Sequence, residues 1–194
     1  MANQDVKPAN PAPLGLAGFG LTTVLLSSIN AGLLPADGGL TVVVPTAFAF
    51  GGLAQIIAGV LEYSNGNTFG MVAFTSYGAF WWWFAFMLWS INAKLLAPPA
   101  GAVVALALAV WGCFTFGMWI STFKSPKIIW TVFLLLWITF FLLAAGDFGM
   151  ASMKHYGGYV GLLTGIAALY ASFAEVTNGT YGRTVIPIGA PFVK

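Results

Sequence analysis

Reactive side chains are scarce in this chain. Its 194 residues include five Asp and Glu, seven Lys and Arg, one His and one Cys. His155 has no second histidine with which to complete a metal site or a proton relay. Cys113 sits inside an apolar run without a partner for a disulfide and reads as a small buried hydrophobe. Every lysine and the single Arg183 fall in loops, tails or, for Lys127, a first helical turn, so no amine is available for a Schiff base within an apolar segment. The sequence contains neither a nucleophile elbow nor a phosphate loop. No catalytic residue, metal site or cofactor is assigned, and an enzyme is not expected.

Two carboxylates stand out. Glu62 and Glu175 each lie near the C-terminal end of an apolar run, where the helix dipole disfavours negative charge. They are candidates for proton coupling, or else solvated carboxylates at the headgroup level. The other polar groups inside apolar runs are neutral, among them Thr22, Thr23, Ser27, Thr75, Ser76, Tyr77, Thr139 and Thr164. Hydroxyls and amides replace water around a small neutral or singly charged solute, but they do not compensate a dication or a large polyanion. Gln55 shares a helical stripe with Gly51 and Gly59, and an amide facing lipid is costly, so it must face another helix or water. Asn10, Gln55, Thr75 and Ser76 are therefore the candidates for solute binding or, in the case of Asn10, for helix capping.

The elements that carry these residues follow from composition. The chain is 59% hydrophobic and 6% charged, with a mean hydropathy of +0.90. A soluble domain has about 25% charged residues, so this is an integral membrane protein of the cell (plasma or inner) membrane. A net charge of +2, thinly scattered, gives no basis for nucleic-acid binding. Six apolar runs, at 14–33, 40–62, 68–90, 99–121, 126–146 and 156–178, are long enough to cross a hydrocarbon layer of about 30 Å. They lack period-two alternation and exceed a barrel strand, which makes the fold all-α. Residues 1–13 form an N-terminal segment with a capping motif and no apolar core of a signal peptide, 14–178 the six-helix domain, and 179–194 a C-terminal tail. Both termini fall on one side, with Lys7, Lys124, Lys127, Arg183 and Lys194 against Lys94 and Lys154 on the other, which favours cytoplasmic termini.

Helix starts and packing faces are also legible. Asn10-Pro11, Asn67-Thr68 and Ser125-Pro126 read as caps, all on the terminus side near Lys124 and Lys127. Their free N–H groups either attract an anion or are simply capped. Gly157, Gly161 and Gly165 recur every four residues and mark a close helix contact. The segments Glu62-x-Ser64-Asn65-Gly66 and Glu175-x-Thr177-Asn178-Gly179 read as one shared way of ending a helix. In Trp81-Trp82-Trp83, consecutive residues point to different faces, so the run is assigned to lipid contact or subunit packing rather than to one pocket.

At Asn10-Pro11-Ala12-Pro13-Leu14-Gly15-Leu16, followed by Ala17-Gly18-Phe19-Gly20, the sequence resembles the acetate uptake transporter family, the succinate–acetate permeases. The blocks at 51–70, 74–82 and 182–189 match as well. This resemblance implies a homo-oligomer, a hexameric ring, with one solute path through each six-helix protomer. It implies transport of acetate and related short carboxylates, succinate among them, by an anion channel or a proton-coupled transporter. It also implies a narrow apolar constriction made by a Phe, a Tyr and a Leu. These carry over to Phe19, Tyr77 and, on the fifth span where the register is least distinctive, Leu136 with Leu135 next to it.

Two other readings compete. Asn10-Pro11-Ala12 is an NPA triplet, as in neutral small-solute channels, but those carry two triplets and a pore arginine, and the only arginine here lies in the tail. A structural membrane protein without transport is the third.

Overall fold

A computed structural model describes residues 8–193. Within them lie six long helices: α1 (Ala12–Asn30), α2 (Leu40–Ser64), α3 (Thr68–Asn92), α4 (Gly101–Ser121, extended by a 3₁₀ turn Thr122–Lys124), α5 (Lys127–Asp147) and α6 (Ala151–Tyr181). Each is long and apolar enough to cross a membrane. The outward faces are apolar too, with Val60 on α2, Val103, Leu106 and Val110 on α4, and Leu163 and Phe173 on α6 all exposed. A surface of that kind is solvated by lipid or by other apolar protein, not by water. This is a multi-pass membrane protein.

The helices alternate in direction, so the starts of α1, α3 and α5 gather at the end that carries the termini. Packing runs α4–α5–α6–α1–α2–α3, and α3 and α4 barely touch where the series would close. The tightest seam joins α1 to α6. A Cβ on Gly20 would stand 2.9 Å from the Gly165 carbonyl, and one on Gly165 would stand 2.9 Å from the Gly20 carbonyl. Gly158 meets the backbone of Ala31, and Gly161 meets the Ser27 hydroxyl. Small residues let two backbones approach where dispersion, rather than water exclusion, holds helices together. Gly157 belongs to another contact, against Leu143 of α5.

Midway along α2 the helix widens into a π-helical segment, Ala47–Ala54, just after Pro45, which lacks an N–H. The Trp82 indole packs on the bare backbone of Gly52 and donates to the Phe48 carbonyl at 2.9 Å. The tryptophan run therefore divides: Trp82 bonds to α2, while Trp81, buried, and Trp83 border the central cavity described below. The expectation that the run serves only lipid or subunits is corrected, because the cavity wraps far enough around α3 to touch positions about 200° apart.

Further corrections concern helix ends and Cys113. The Cys113 side chain is exposed on the outer face of α4, not buried. The α6 helix starts five residues earlier than the apolar run and ends three later, since Lys154, His155 and Thr180 extend it beyond the hydrocarbon. Thus Glu62-x-Ser64-Asn65-Gly66 does end a helix, with Gly66 at φ +68°, but Asn178-Gly179 does not; α6 stops at Gly182, φ +63°.

Instead, Asn178 pins the C-terminal tail. Its Oδ1 accepts from the Val185 and Ile186 N–H groups at 2.7 and 2.9 Å, and its Nδ2 donates to the Ile186 carbonyl at 2.8 Å. Tyr170 donates its hydroxyl to the Pro187 carbonyl at 2.6 Å. The tail then crosses to α5, where Ser125 makes no cap. The Lys127 and Ile128 N–H groups donate to the carbonyls of Gly189 and Ile188 at 3.3 and 3.1 Å. Those donors are thereby withdrawn from any anion site, and the Lys127 ammonium lies 5.1 Å over the Phe192 ring. Of the basic residues counted for topology, Lys7 and Lys194 lie outside the described residues.

The α1–α6 seam has a direct check. Gly158→Ala drives a methyl into the Ala31 backbone, which cannot yield, and is expected to lose about 1–3 kcal/mol by overpacking. Gly179→Ala, on the same helix with nothing near its Cβ position, is expected to be neutral or slightly stabilising. Thermal unfolding of both variants in detergent measures the difference.

Candidate functional site

Three helices that run in the same direction, α1, α3 and α5, line the centre with side chains at matching heights. Phe19, Tyr77 and Leu136 form one layer, all buried. The Phe19 and Tyr77 ring centroids are 5.9 Å apart. Three residues earlier on each helix, about 4.5 Å toward the termini, come Leu16, Phe74 and Phe133, also buried in the apolar core. None of these three borders the central cavity.

On the other side the layer opens into a cavity of about 650 Å³. Phe19, Tyr77 and Leu136 border it at the floor, Leu26, Phe80, Leu108 and Phe140 along an apolar wall, and Thr23, Ser27 and Thr139 are its hydroxyl-bearing positions. Its mouth, at the end away from the termini, carries Asn30, Asp147, Lys154 and His155. Lys154 donates to Asp147 at 2.8 Å there, so the mouth presents a paired charge rather than a free one.

Tyr77 is held rigidly. Its hydroxyl bonds to Thr115 Oγ1 on α4 at 3.0 Å, and Thr115 donates in turn to the Trp111 carbonyl at 2.7 Å. Phe114, Trp111 and Phe133 pack around the ring with centroids 5.8–6.0 Å away. The phenol oxygen is thus turned to α4, and the floor presents carbon. No sequence signal marks this partner, since Thr115 is one threonine among many.

The remaining candidates are placed elsewhere. Leu136 borders the cavity, whereas Leu135 is outside its lining. Gln55 is fully buried against α1 beside Gly18, so the amide faces a helix; its Oε1 has no partner. Thr75 packs against Gly59 of α2, and neither Thr75 nor Ser76 borders the cavity.

Asn10 and Asn67 share one geometry at the end that carries the termini. Asn10 Oδ1 accepts from the Ala12 N–H at 3.0 Å while its Nδ2 donates to Glu175 Oε2 at 2.8 Å. Asn67 Oδ1 accepts from the Gly70 N–H at 3.0 Å while its Nδ2 donates to Glu62 Oε2 at 3.0 Å. Each carboxamide caps the start of one helix and ties it to a carboxylate near the end of a neighbour. Glu62 is 1% exposed and its Oε1 has no partner, which excludes the solvated reading for it. Glu175 is half-buried, six residues inside the end of α6.

Against this geometry stand the relatives. Residues 1–189 match the model of the GPR1/FUN34/yaaH family. The chain is 48% identical over 189 residues to an uncharacterized protein of Methanothermobacter thermautotrophicus, covering 93% of this chain and 91% of that one. It is 44% identical over 186 residues to the succinate-acetate/proton symporter SatP of Escherichia coli, covering 95% of this chain and 97% of the other. The solved structure of the bacterial acetate channel SatP superposes with a TM-score of 0.90 at 44% identity, over 94% of this chain and all of that one.

The one-sided cavity can be checked without any solute. In a Cys113→Ser background, Leu26→Cys and Val104→Cys are expected to react with a charged, membrane-impermeant thiol reagent added on the side away from the termini. Leu16→Cys, beyond the floor, is expected to stay unmodified from that side. Mass spectrometry of the labelled protein reads the result, and equal labelling of all three positions would show that the floor does not close the path.

Proposed function

The chain belongs to the GPR1/FUN34/yaaH family, and from that premise we propose that it carries acetate and related short carboxylates, succinate among the candidates, through each protomer. The observation that carries this reading is the cavity narrowing onto Phe19, Tyr77 and Leu136. A methyl group and a carboxylate are both small enough for such a slot. A hydrated inorganic ion would lose its water there without replacement ligands. Transport, not chemical conversion, is the activity, and it needs no cofactor.

A carbon-lined floor favours a neutral species, so the acid, or the anion with a proton, crosses more easily than the bare anion. Glu62 and Glu175 are the proton-coupling candidates, one buried and one half-buried at the end that carries the termini. Asn10 orients Glu175 and caps α1, which gives it a positioning role. Gln55, Thr75 and Ser76 serve helix packing in this account. We place both termini in the cytoplasm, so that the cavity faces outward, and we propose a hexameric ring whose contacts cover part of the exposed apolar surface of the helices.

Labelled-acetate flux into proteoliposomes tests the reading, with pH gradient and membrane potential set independently and empty liposomes subtracted. Protein-dependent flux that follows the pH gradient and ignores potential is expected. Flux that follows potential would identify an anion channel instead. Absence of protein-dependent acetate flux, in vesicles that pass small neutral solutes, would overturn the assignment.

A further inference from the structure

We propose that Asn67 is a positioning residue for transport: it acts through Glu62, tying the start of α3 to that carboxyl, so that a proton gained or lost there changes how firmly α3 is held. The proposal rests on the proton-coupled reading above and names the side chain that links the proton to the helix carrying Tyr77.

The three helices that line the centre each begin with a tie to another segment. Asn10 joins α1 to Glu175 of α6, and Asn67 joins α3 to Glu62 of α2, at 2.8 and 3.0 Å. At α5 backbone stands in for side chains, where the Lys127 and Ile128 N–H groups donate to the Gly189 and Ile188 carbonyls of the tail. Two of the three ties thus end on a carboxyl, and Glu62 is the fully buried one of the two.

Around Glu62 the chain is built to hold one arrangement. The Asn67 backbone N–H donates to the Glu62 carbonyl at 3.1 Å, across a turn in which Gly66 takes φ +68°. The Asn67 side chain then donates from Nδ2 to Glu62 Oε2 and accepts at Oδ1 from the Gly70 N–H. A Cβ at position 70 would stand 2.6 Å from Asn67 Nδ2 and 2.9 Å from Glu62 Oε1, so the pair fills the space a side chain would need. Capping alone requires only the Asn67 oxygen. Its amide nitrogen serves Glu62.

Among the described residues no cation pairs with this carboxyl, and the one ion pair, Lys154–Asp147, lies at the other end of the molecule. The helices packed on the second half of α2 are α1 and α3; they carry no charged residue, and their one titratable group, Tyr77, is bonded to Thr115. Tyr63, next to Glu62, is exposed, and Glu175 of α6 is the charged group that reaches it. With Oε2 taken by Asn67, the buried and unpartnered Oε1 is where a proton sits when the carboxyl is neutral. A hydrogen bond to an ionised acceptor is about twice as strong as one to a neutral acceptor. Ionised Glu62 therefore grips Asn67, and protonated Glu62 loosens it. Tyr77 rides about 15 Å further along the helix whose start is gripped.

Asn67→Asp keeps the capping oxygen and removes the donor; Asn67→Ala removes both. In reconstituted vesicles with a set pH gradient, the pH giving half-maximal acetate flux is expected to move upward by about half a unit to one unit in each, because a carboxyl that has lost its donor gives up its proton later. Gly158→Ala, which disturbs packing against Ala31 at the opposite end, is expected to lower the maximal rate and leave that pH where it is. An unmoved profile in both Asn67 variants would overturn the proposal, whatever happens to the maximal rate. So would a shift in Asn67→Ala with none in Asn67→Asp, the mark of a lost cap, or an equal shift in Gly158→Ala, the mark of loosened packing. Wild-type flux that ignores the pH gradient would overturn the proton-coupled reading and this proposal with it. That failure is visible before any variant is compared, which keeps the two distinct.

Discussion

The contact of α1 with α6, backbone against backbone at Gly20 and Gly165, fixes the position of everything that lines the path. Because α6 also packs on α5, the seam sets how far α5 stands from α1, and with it the gap between Leu136 and Phe19. On the other flank, α1 meets α2 where a Cβ on Gly18 would crowd the Phe50 carbonyl, and α2 meets α3 where Gly78 faces the Gly52 carbonyl. Three close approaches therefore hold α1, α3 and α5 around a common axis. A side chain added at any of these glycines displaces a helix, and a displaced helix misaligns the layers.

Helical periodicity turns that arrangement into a graded path. Positions three before and four after Phe19, Tyr77 and Leu136 repeat nearly the same angular face on each helix, and the later ones are Thr23 on α1, Trp81 on α3 and Phe140 on α5, all bordering the cavity. Polarity rises toward the mouth, where Asn30, His155 and the Lys154–Asp147 pair stand. A carboxylate entering from that side exchanges water first for polar groups and only then for rings. In the proposed account the step across carbon is the costly one.

Much of this was legible in the sequence, and the exceptions have physical causes. Long apolar runs gave the six helices because no other element satisfies its backbone in lipid without a closed barrel. The asparagine caps at Asn10 and Asn67 were readable because capping depends on a side chain next to a helix start. Their second bonds, to Glu175 and Glu62, were not, since they join segments distant in sequence. Phe19, Tyr77 and Leu136 came from a family resemblance, and the structure brings all three to one cavity. Ser125 reads as a cap and is not one, because the carbonyls of Ile188 and Gly189 that take its place carry no residue-type signal. The inward face of Trp81 was missed because facing is decided by the partner helices, not by the run of three tryptophans.

The central claim is that the layer of Phe19, Tyr77 and Leu136 decides what crosses. Its most direct test is the flux of gluconate, a bulky and poorly lipid-permeable carboxylate, relative to acetate in vesicles carrying the wild-type protein or Phe19→Ala, Tyr77→Ala and their double variant. The account predicts that the gluconate-to-acetate ratio is near zero for the wild type and rises by about tenfold or more when the rings are removed. A ratio that stays at the wild-type value in the folded double variant would contradict it and move the selective step elsewhere along the path.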